Sequence, residues 1–138
     1  MTTPEKAAFR FADFKISKSD FDFSLDRGTN LNISFNLSGQ HFVKTNVFRL
    51  IIETLVNNQK EEILIRIQSE SIFNFSGIQE DELMNYFVGN APAIVFPYIR
   101  AYIGTLTTQS GYPPLLLPTL NLSKLSKDLE EHITKITE

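Results

Sequence analysis

An α+β fold, built as a four-stranded antiparallel sheet followed by helices, is predicted by two patterns that divide the chain. Up to residue 75 apolar residues alternate with polar ones, the period of a strand whose two faces meet different surroundings. Beyond residue 79 they recur at three- and four-residue spacing, the period of a helix. Strands first and helices after, with short links between the strands, is the order of an α+β domain with an antiparallel sheet.

The strands follow in order. Phe9 and Phe11 have odd parity, whereas Phe14 and Ile16 have even parity. One extra residue reconciles them, so a β-bulge is expected near Ala12-Asp13. Phe21, Phe23 and Leu25 face one way, with Asp20, Asp22 and Asp26 facing the other. Leu31, Ile33, Phe35 and Leu37 repeat the pattern with Asn and Ser between them. Residues 46–56 read as a long strand in which Phe48, Leu50, Ile52 and Val56 share a face, while Ile51 and Leu55 fall on the other. Asn57-Asn58-Gln59-Lys60 is a polar hairpin connection. Ile63, Ile65 and Ile67 form the next strand, with Arg66 and Gln68 facing away, and Phe73 and Phe75 close a last short strand before Gly77.

The helices begin with Gln79-Glu80-Asp81-Glu82, whose acids suit the positive end of a helix dipole. Leu83, Tyr86 and Phe87 make that helix apolar on one side, and Gly89 is placed to end it. Pro92 suits a first helical turn. Pro97 is expected to kink the helix it interrupts, beyond which Ile99, Tyr102, Ile103 and Leu106 keep helical spacing. Residues 123–138 are read as a C-terminal helix with Leu125, Leu129, Ile133 and Ile136 as its stripe, and residues 1–8 as a flexible tail. That last helix can pack on its own domain or cover a groove.

At 138 residues the chain is read as one domain, long enough to bury about two-thirds of its surface. It has no cysteine, which removes disulfides and thiolate metal sites and suits a reducing compartment. The N-terminus lacks the basic start and apolar run of a signal peptide, and no apolar run approaches the roughly 20 residues that span a bilayer. A cytoplasmic protein without membrane insertion is expected. A net charge of −3 gives no reason to expect nucleic-acid binding.

Catalytic constellations are absent from the sequence. His41 and His132 stand apart from each other and from any second ligand. No serine has nucleophile-elbow spacing, and the six glycines form no phosphate loop or dinucleotide fingerprint. The chain is read as a non-enzyme with no cofactor and no metal. The aromatic content points elsewhere. Most of the twelve Phe are core residues, yet the long strand is apolar on both faces. Few helices are available to cover them. The surplus implies an oligomer interface, an exposed apolar groove, or both.

Three segments carry a resemblance. Ile72-Phe73-Asn74-Phe75-Ser76-Gly77-Ile78, then residues 90–100 with Phe96-Pro97-Tyr98 and Arg100, then the proline-rich stretch from Pro113 to Asn121-Leu122 match the protein-export chaperone family SecB in order, spacing and residue type. Asp20-Phe21-Asp22-Phe23 resembles that family's first-strand pattern. The resemblance implies subunits that pair through their sheets and assemble as a dimer of dimers, with the long helices sandwiched between. It implies an ATP-independent chaperone that binds unfolded preproteins or another client protein and passes them to the motor SecA.

Carried over by position, the resemblance implies a polypeptide-binding groove at Leu25, Leu31, Leu125, Leu129 and Ile133, extended by Tyr112, Leu115 and Leu116. It implies motor docking at Asp20 and Asp22, and an oligomer interface containing Phe96, Tyr98, Tyr102, Ile103 and Leu106. Arg66 departs from it, standing where the family carries an acid on its docking face, and Glu70-Ser71 replaces a glycine pair. A charge reversal at a docking face opposes the same partner. A second reading is therefore a dedicated interaction protein, such as a SecB-like chaperone of a toxin–antitoxin system that does not dock SecA. A third, an enzyme of the hot-dog thioesterase kind, has Glu80–Glu82 as its sole candidate acids.

Overall fold

The computed structural model describes residues 6–25, 30–118 and 121–138. Strand β1 (Ala8–Phe21) is followed by β2 (Asn32–Phe42), β3 (Val47–Asn57) and β4 (Ile63–Ser76). Helix α1 (Glu80–Asn85) runs through a π-helical turn (Tyr86–Asn90) into α2 (Ala91–Gln109). Helix α3 (Leu122–Glu130) and a short strand, β5 (Ile133–Ile136), complete the described elements. One sheet holds all five strands in the order β1-β4-β3-β2-β5. The first four pair antiparallel, as alternation and short links dictate, whereas β5 lies parallel to β2. The α+β class is as expected, but the sheet is five-stranded and mixed rather than four-stranded and antiparallel.

The bulge anticipated near Ala12-Asp13 is present, since the β1–β4 register shifts between Phe11 and Asp13. A second shift lies between Ile16 and Lys18 and restores odd parity at Phe21. Phe73 and Phe75 do not form a separate strand; they are the far end of the unbroken β4. The β3–β4 connection is a side-chain-capped turn. Asn58 Oδ1 accepts from the backbone N–H of Lys60 at 3.0 Å and of Glu62 at 2.9 Å, a local alternative to ladder pairing that Asn is suited to supply.

Every second residue of β3 points to the helices: Phe48, Leu50, Ile52, Thr54 and Val56 are fully buried. Aromatic side chains fill this layer. Phe48 stacks on Phe87 with ring centroids 4.2 Å apart, and Phe9 stacks on Phe73 at 4.8 Å. Full burial of a ring such as Phe48, Phe73 or Phe87 contributes about 1.5–3 kcal/mol. Gly39 makes room for the stack, because a Cβ there would lie 2.6 Å from Phe48 Cε1. The opposite sheet face is mixed rather than apolar. Half-buried Ile51 and Leu55 alternate with Arg49 and Glu53, and Arg49 pairs with Glu70 while donating to Gln40 Oε1 at 2.8 Å.

Two helix boundaries differ from expectation. Gly89 does not end the first helix, because the π turn carries the chain through it and the Ala91 N–H bonds to the Tyr86 carbonyl. Pro92 has no N–H to offer the carbonyl of Val88; Ser126 Oγ of α3 donates to that carbonyl at 2.6 Å. Pro97 lies inside α2, and the helix continues past it to Gln109. The C-terminal helix does not extend over 123–138. It ends at Glu130, and Ile133-Thr134-Lys135-Ile136 is extended. Three of those four residues are β-branched, which favours a strand over a helix. Ala8, expected at the end of a flexible tail, is instead the first residue of β1; residues 1–5 lie outside the described residues.

Candidate functional site

The distinctive surface lies along the outer edge of β2. On one side β2 pairs with β3 over its whole length. On the other, β5 pairs with residues 39–42 alone, so among the described residues 32–38 have no strand beside them. The Gly39 N–H points outward, because it donates to the His132 carbonyl at 3.1 Å. Strand backbones alternate the direction of their polar groups, so the N–H and C=O of Ile33, Phe35 and Leu37 point the same way, off the sheet edge.

Helix α3 runs beside this edge. Leu129 is fully buried and, with the Ser126–Val88 hydrogen bond, fastens the helix. Asn121 caps its start, accepting from the Lys124 N–H at 3.4 Å. Between edge and helix lie two adjoining cavities. One, of about 270 Å³, is bounded by Ile33, Ser34 and Phe35 on the strand and by Lys124, Leu125 and Asp128 on the helix. The other, of about 530 Å³, continues past Phe35, Asn36, Leu37 and Ser38 to Asp128 and His132, with Ile51, Glu53 and Gln68 on its sheet side. They share Phe35 and Asp128, which makes them one trough.

The trough has an apolar floor and a polar rim. Ile33, Phe35 and Leu125 are half-buried, and Phe35 rests edge-on against Phe96 of α2 with centroids 5.2 Å apart. Lys124, Asp128 and Glu53 put both signs of charge on the rim. Asn36 Nδ2 donates to Glu53 Oε1 at 3.1 Å, and the His132 ring Nδ1 lies 2.6 Å from the Asp128 carbonyl oxygen. An extended segment placed here meets backbone groups that no described strand pairs on one side, apolar side chains below, and a rim of one ammonium and two carboxylates.

The expected groove residues are dispersed. Leu125 lines the trough. Leu129 is fully buried and anchors α3. Ile133 belongs to β5 and packs over Gly39, with its Cγ1 placed 3.4 Å from where a Cβ would be. Leu25 and Leu31 are half-buried against the core. Tyr112 packs on Phe23 and Phe21 with centroids 4.9 and 6.1 Å away. Leu115 is half-buried and its N–H donates to Thr107 Oγ1 at 3.0 Å. Leu116, 73% exposed, lines a different hollow of about 500 Å³ on the outside of α2. Ile33, Phe35 and Leu37 line the trough and are not among the expected groove residues, because the Asn and Ser between them mark a polar sheet face and carry no sign of an unpaired edge.

The expected interface residues divide in the same way. Phe96 and Ile103 are buried within this chain, with Phe96 against Phe35 of β2. Tyr98 is half-exposed and packs on Phe11 and Phe14. Tyr102 donates its hydroxyl to Ser19 Oγ at 2.7 Å, and Leu106 is half-buried. On the outer sheet face Asp20 stands directly across from Arg66. Asp22 accepts from the Ser24 N–H at 3.0 Å and from its hydroxyl at 2.5 Å; those bonds hold its carboxyl below the usual range.

Among the described residues no helix is long and apolar enough to cross a membrane, and no cluster of His, Asp and Glu could hold a metal ion. The model of the SecB family, described as preprotein translocase subunit SecB, matches residues 13–132. A protein-export protein SecB of Hydrogenovibrio crunogenus is 28% identical over 97% of this chain and 89% of its own length. An uncharacterized protein of Methanocaldococcus jannaschii is 24% identical over the whole chain and 95% of its own length. Among solved structures, the fold is similar to the SecB-like chaperone Rv1957 of Mycobacterium tuberculosis, in complex with a ChAD peptide from the HigA1 antitoxin. The TM-score is 0.65 at 21% identity, covering 82% of this chain and 90% of that one. With the family model matched across both the sheet and the helices, the chain belongs to the SecB family of chaperones.

Proposed function

We propose that this chaperone is an ATP-independent holdase that binds unfolded, export-competent polypeptides along the open edge of β2. The observation that carries the reading is the combination of outward backbone groups at 33, 35 and 37 with the apolar floor of Ile33, Phe35 and Leu125. Strand addition of this kind draws affinity from main-chain hydrogen bonds, which every client sequence offers, and leaves side-chain selectivity loose. The peptide bound by the related Rv1957 chaperone supports a polypeptide ligand. On this reading the protein acts in the cytoplasm as a homo-oligomer, dimer or tetramer. The outside of α2 around Tyr98, Ala101, Gly104 and Leu116 is the face presented to another subunit.

The purified protein is expected to slow light-scattering aggregation of a chemically unfolded client without nucleotide, and Phe35→Asp to remove most of that protection while leaving the circular dichroism intact. A well-folded protein that protects none of several unfolded clients would sink the holdase reading.

Delivery to SecA is the weaker half of the family analogy. Asp20 stands opposite Arg66 across the strand pair and Asp22 is engaged by Ser24, so a basic side chain shares the candidate docking face with these acids. That observation favours a second reading, a SecB-like chaperone dedicated to one partner, such as an antitoxin. Pulldown from native cells separates the two: one stoichiometric partner supports dedication, whereas a broad client set with SecA present supports export.

A further inference from the structure

We infer that β5 is a tethered occupant of the client edge, a strap whose release lengthens the binding site from residues 32–38 to the whole of β2. This rests on the reading of that edge as the client site. The edge already receives one extended segment: the Gly39 N–H donates to the His132 carbonyl at 3.1 Å and the Val43 N–H to the Ile136 carbonyl at 3.0 Å. These bonds bracket the stretch where β5 lies in register with β2, and the free edge continues the same line of outward backbone groups. What a client strand would do at residues 33–37, β5 does at 39–42.

The strap is built to come away. It has four residues, pairs in parallel, and among the described residues has no strand on its other side. Parallel pairing is the less stable arrangement per residue. Two residues, Glu131 and His132, join it to α3, so α3 can stay anchored by Leu129 while β5 leaves. Thr134 and Lys135 are exposed, and Ile133 is the contact with the core that departure would cost. A client with an apolar residue at that position replaces it.

Two variants test the strap. In this parallel register the Thr134 N–H faces β2, whereas the Lys135 N–H faces away. Thr134→Pro removes a ladder donor, and Lys135→Pro, at an edge position where proline is tolerated, serves as the control. Thr134→Pro is expected to speed hydrogen exchange at the Gly39 and Val43 amides. It is also expected to lower the Kd for reduced carboxymethylated α-lactalbumin by about threefold or more, as when a site open about a third of the time becomes fully open. Lys135→Pro is expected to do neither. Gln40→Cys with Thr134→Cys, Cα partners in the ladder, supplies a lock read in one folded protein, with the oxidised form binding more weakly than the reduced. Unchanged affinity in Thr134→Pro with the amides exposed, or equal affinity of the two redox forms, overturns the strap. Phe35→Asp reports on the underlying site: if it binds the same client as well as the unmodified protein does, the edge reading itself fails, and if it binds weakly while Thr134→Pro changes nothing, only the strap fails.

Discussion

His41 shows how one side chain ties the sheet edge to the helices. It is 8% exposed, its ring lies edge-on to Phe87 at 5.0 Å, and it sits opposite Lys135 in the β2–β5 ladder. Burial first, and Lys135 second, hold its pKa below the ordinary value, while Glu80, 3.9 Å from the Lys135 ammonium, pulls slightly the other way. A depressed folded pKa means that the unfolded chain binds the proton more readily. The stability this neutral histidine provides is present above the unfolded pKa of about 6.5 and is lost as pH falls below it toward the folded value. The urea midpoint is expected to drop between pH 7.5 and 5.5, and His41→Phe, which keeps the aromatic packing, is expected to flatten that part of the profile. An unchanged slope in His41→Phe assigns the titration to another group.

At the scale of elements, α3 is held by few but specific contacts. Its hydroxyl bond to the carbonyl that Pro92 leaves unserved joins it to the π turn, and Leu129 joins it to the core. Ser126→Ala is expected to lower stability by about 1 kcal/mol, the typical net worth of a hydrogen bond, or somewhat more because a half-buried carbonyl is left bare. Urea denaturation measures this; an effect below a few tenths would mean that the carbonyl finds another donor. The residues around α3 also show where the sequence was readable. Alternation located four strands and a bulge, because burial on one face imposes a period that local residues must obey. Spacing at Leu125, Leu129, Ile133 and Ile136 imitated a longer helix, since a four-residue strand is too short for its own period to stand out. The trough was half legible. Leu125, which the family resemblance implies as a groove residue, lines the trough. The β2 edge was not legible, because whether a strand is central or peripheral depends on pairing that no local pattern encodes. The π turn was hidden for a related reason. Gly89 and Pro92 each signal a boundary, and their combination instead shifts the hydrogen-bond register by one residue.

For the whole molecule the open question is what covers the outside of α2. Its inward residues, Val95, Phe96, Ile99 and Ile103, fill this chain's core. Outward lie Ala101, Gly104, Thr105 and Thr108, small side chains bordering an apolar hollow closed at its far side by Pro114 and by Leu116. A Cβ built on Gly104 meets no atom of the described residues within 4 Å, so none of them requires glycine there. Small side chains instead let a second backbone approach closely. If this face meets another subunit, Gly104→Leu separates assembly from folding. Within a single chain it replaces a helical glycine by a better helix former, a gain of up to about 1 kcal/mol, and fills open space. Between subunits the same side chain intrudes. Sedimentation velocity is expected to show the unmodified protein as a dimer or tetramer and Gly104→Leu as a smaller species with an equal or higher melting temperature. Leu116→Asp is expected to behave alike in size. The consequence reaches the client trough, because one long unfolded chain that engages several troughs at once gains avidity without any new contact. The split variants should therefore protect long clients less well while binding a short peptide, able to fill only one trough, with unchanged affinity. Equal loss for both would place the client contact on the α2 face rather than along β2.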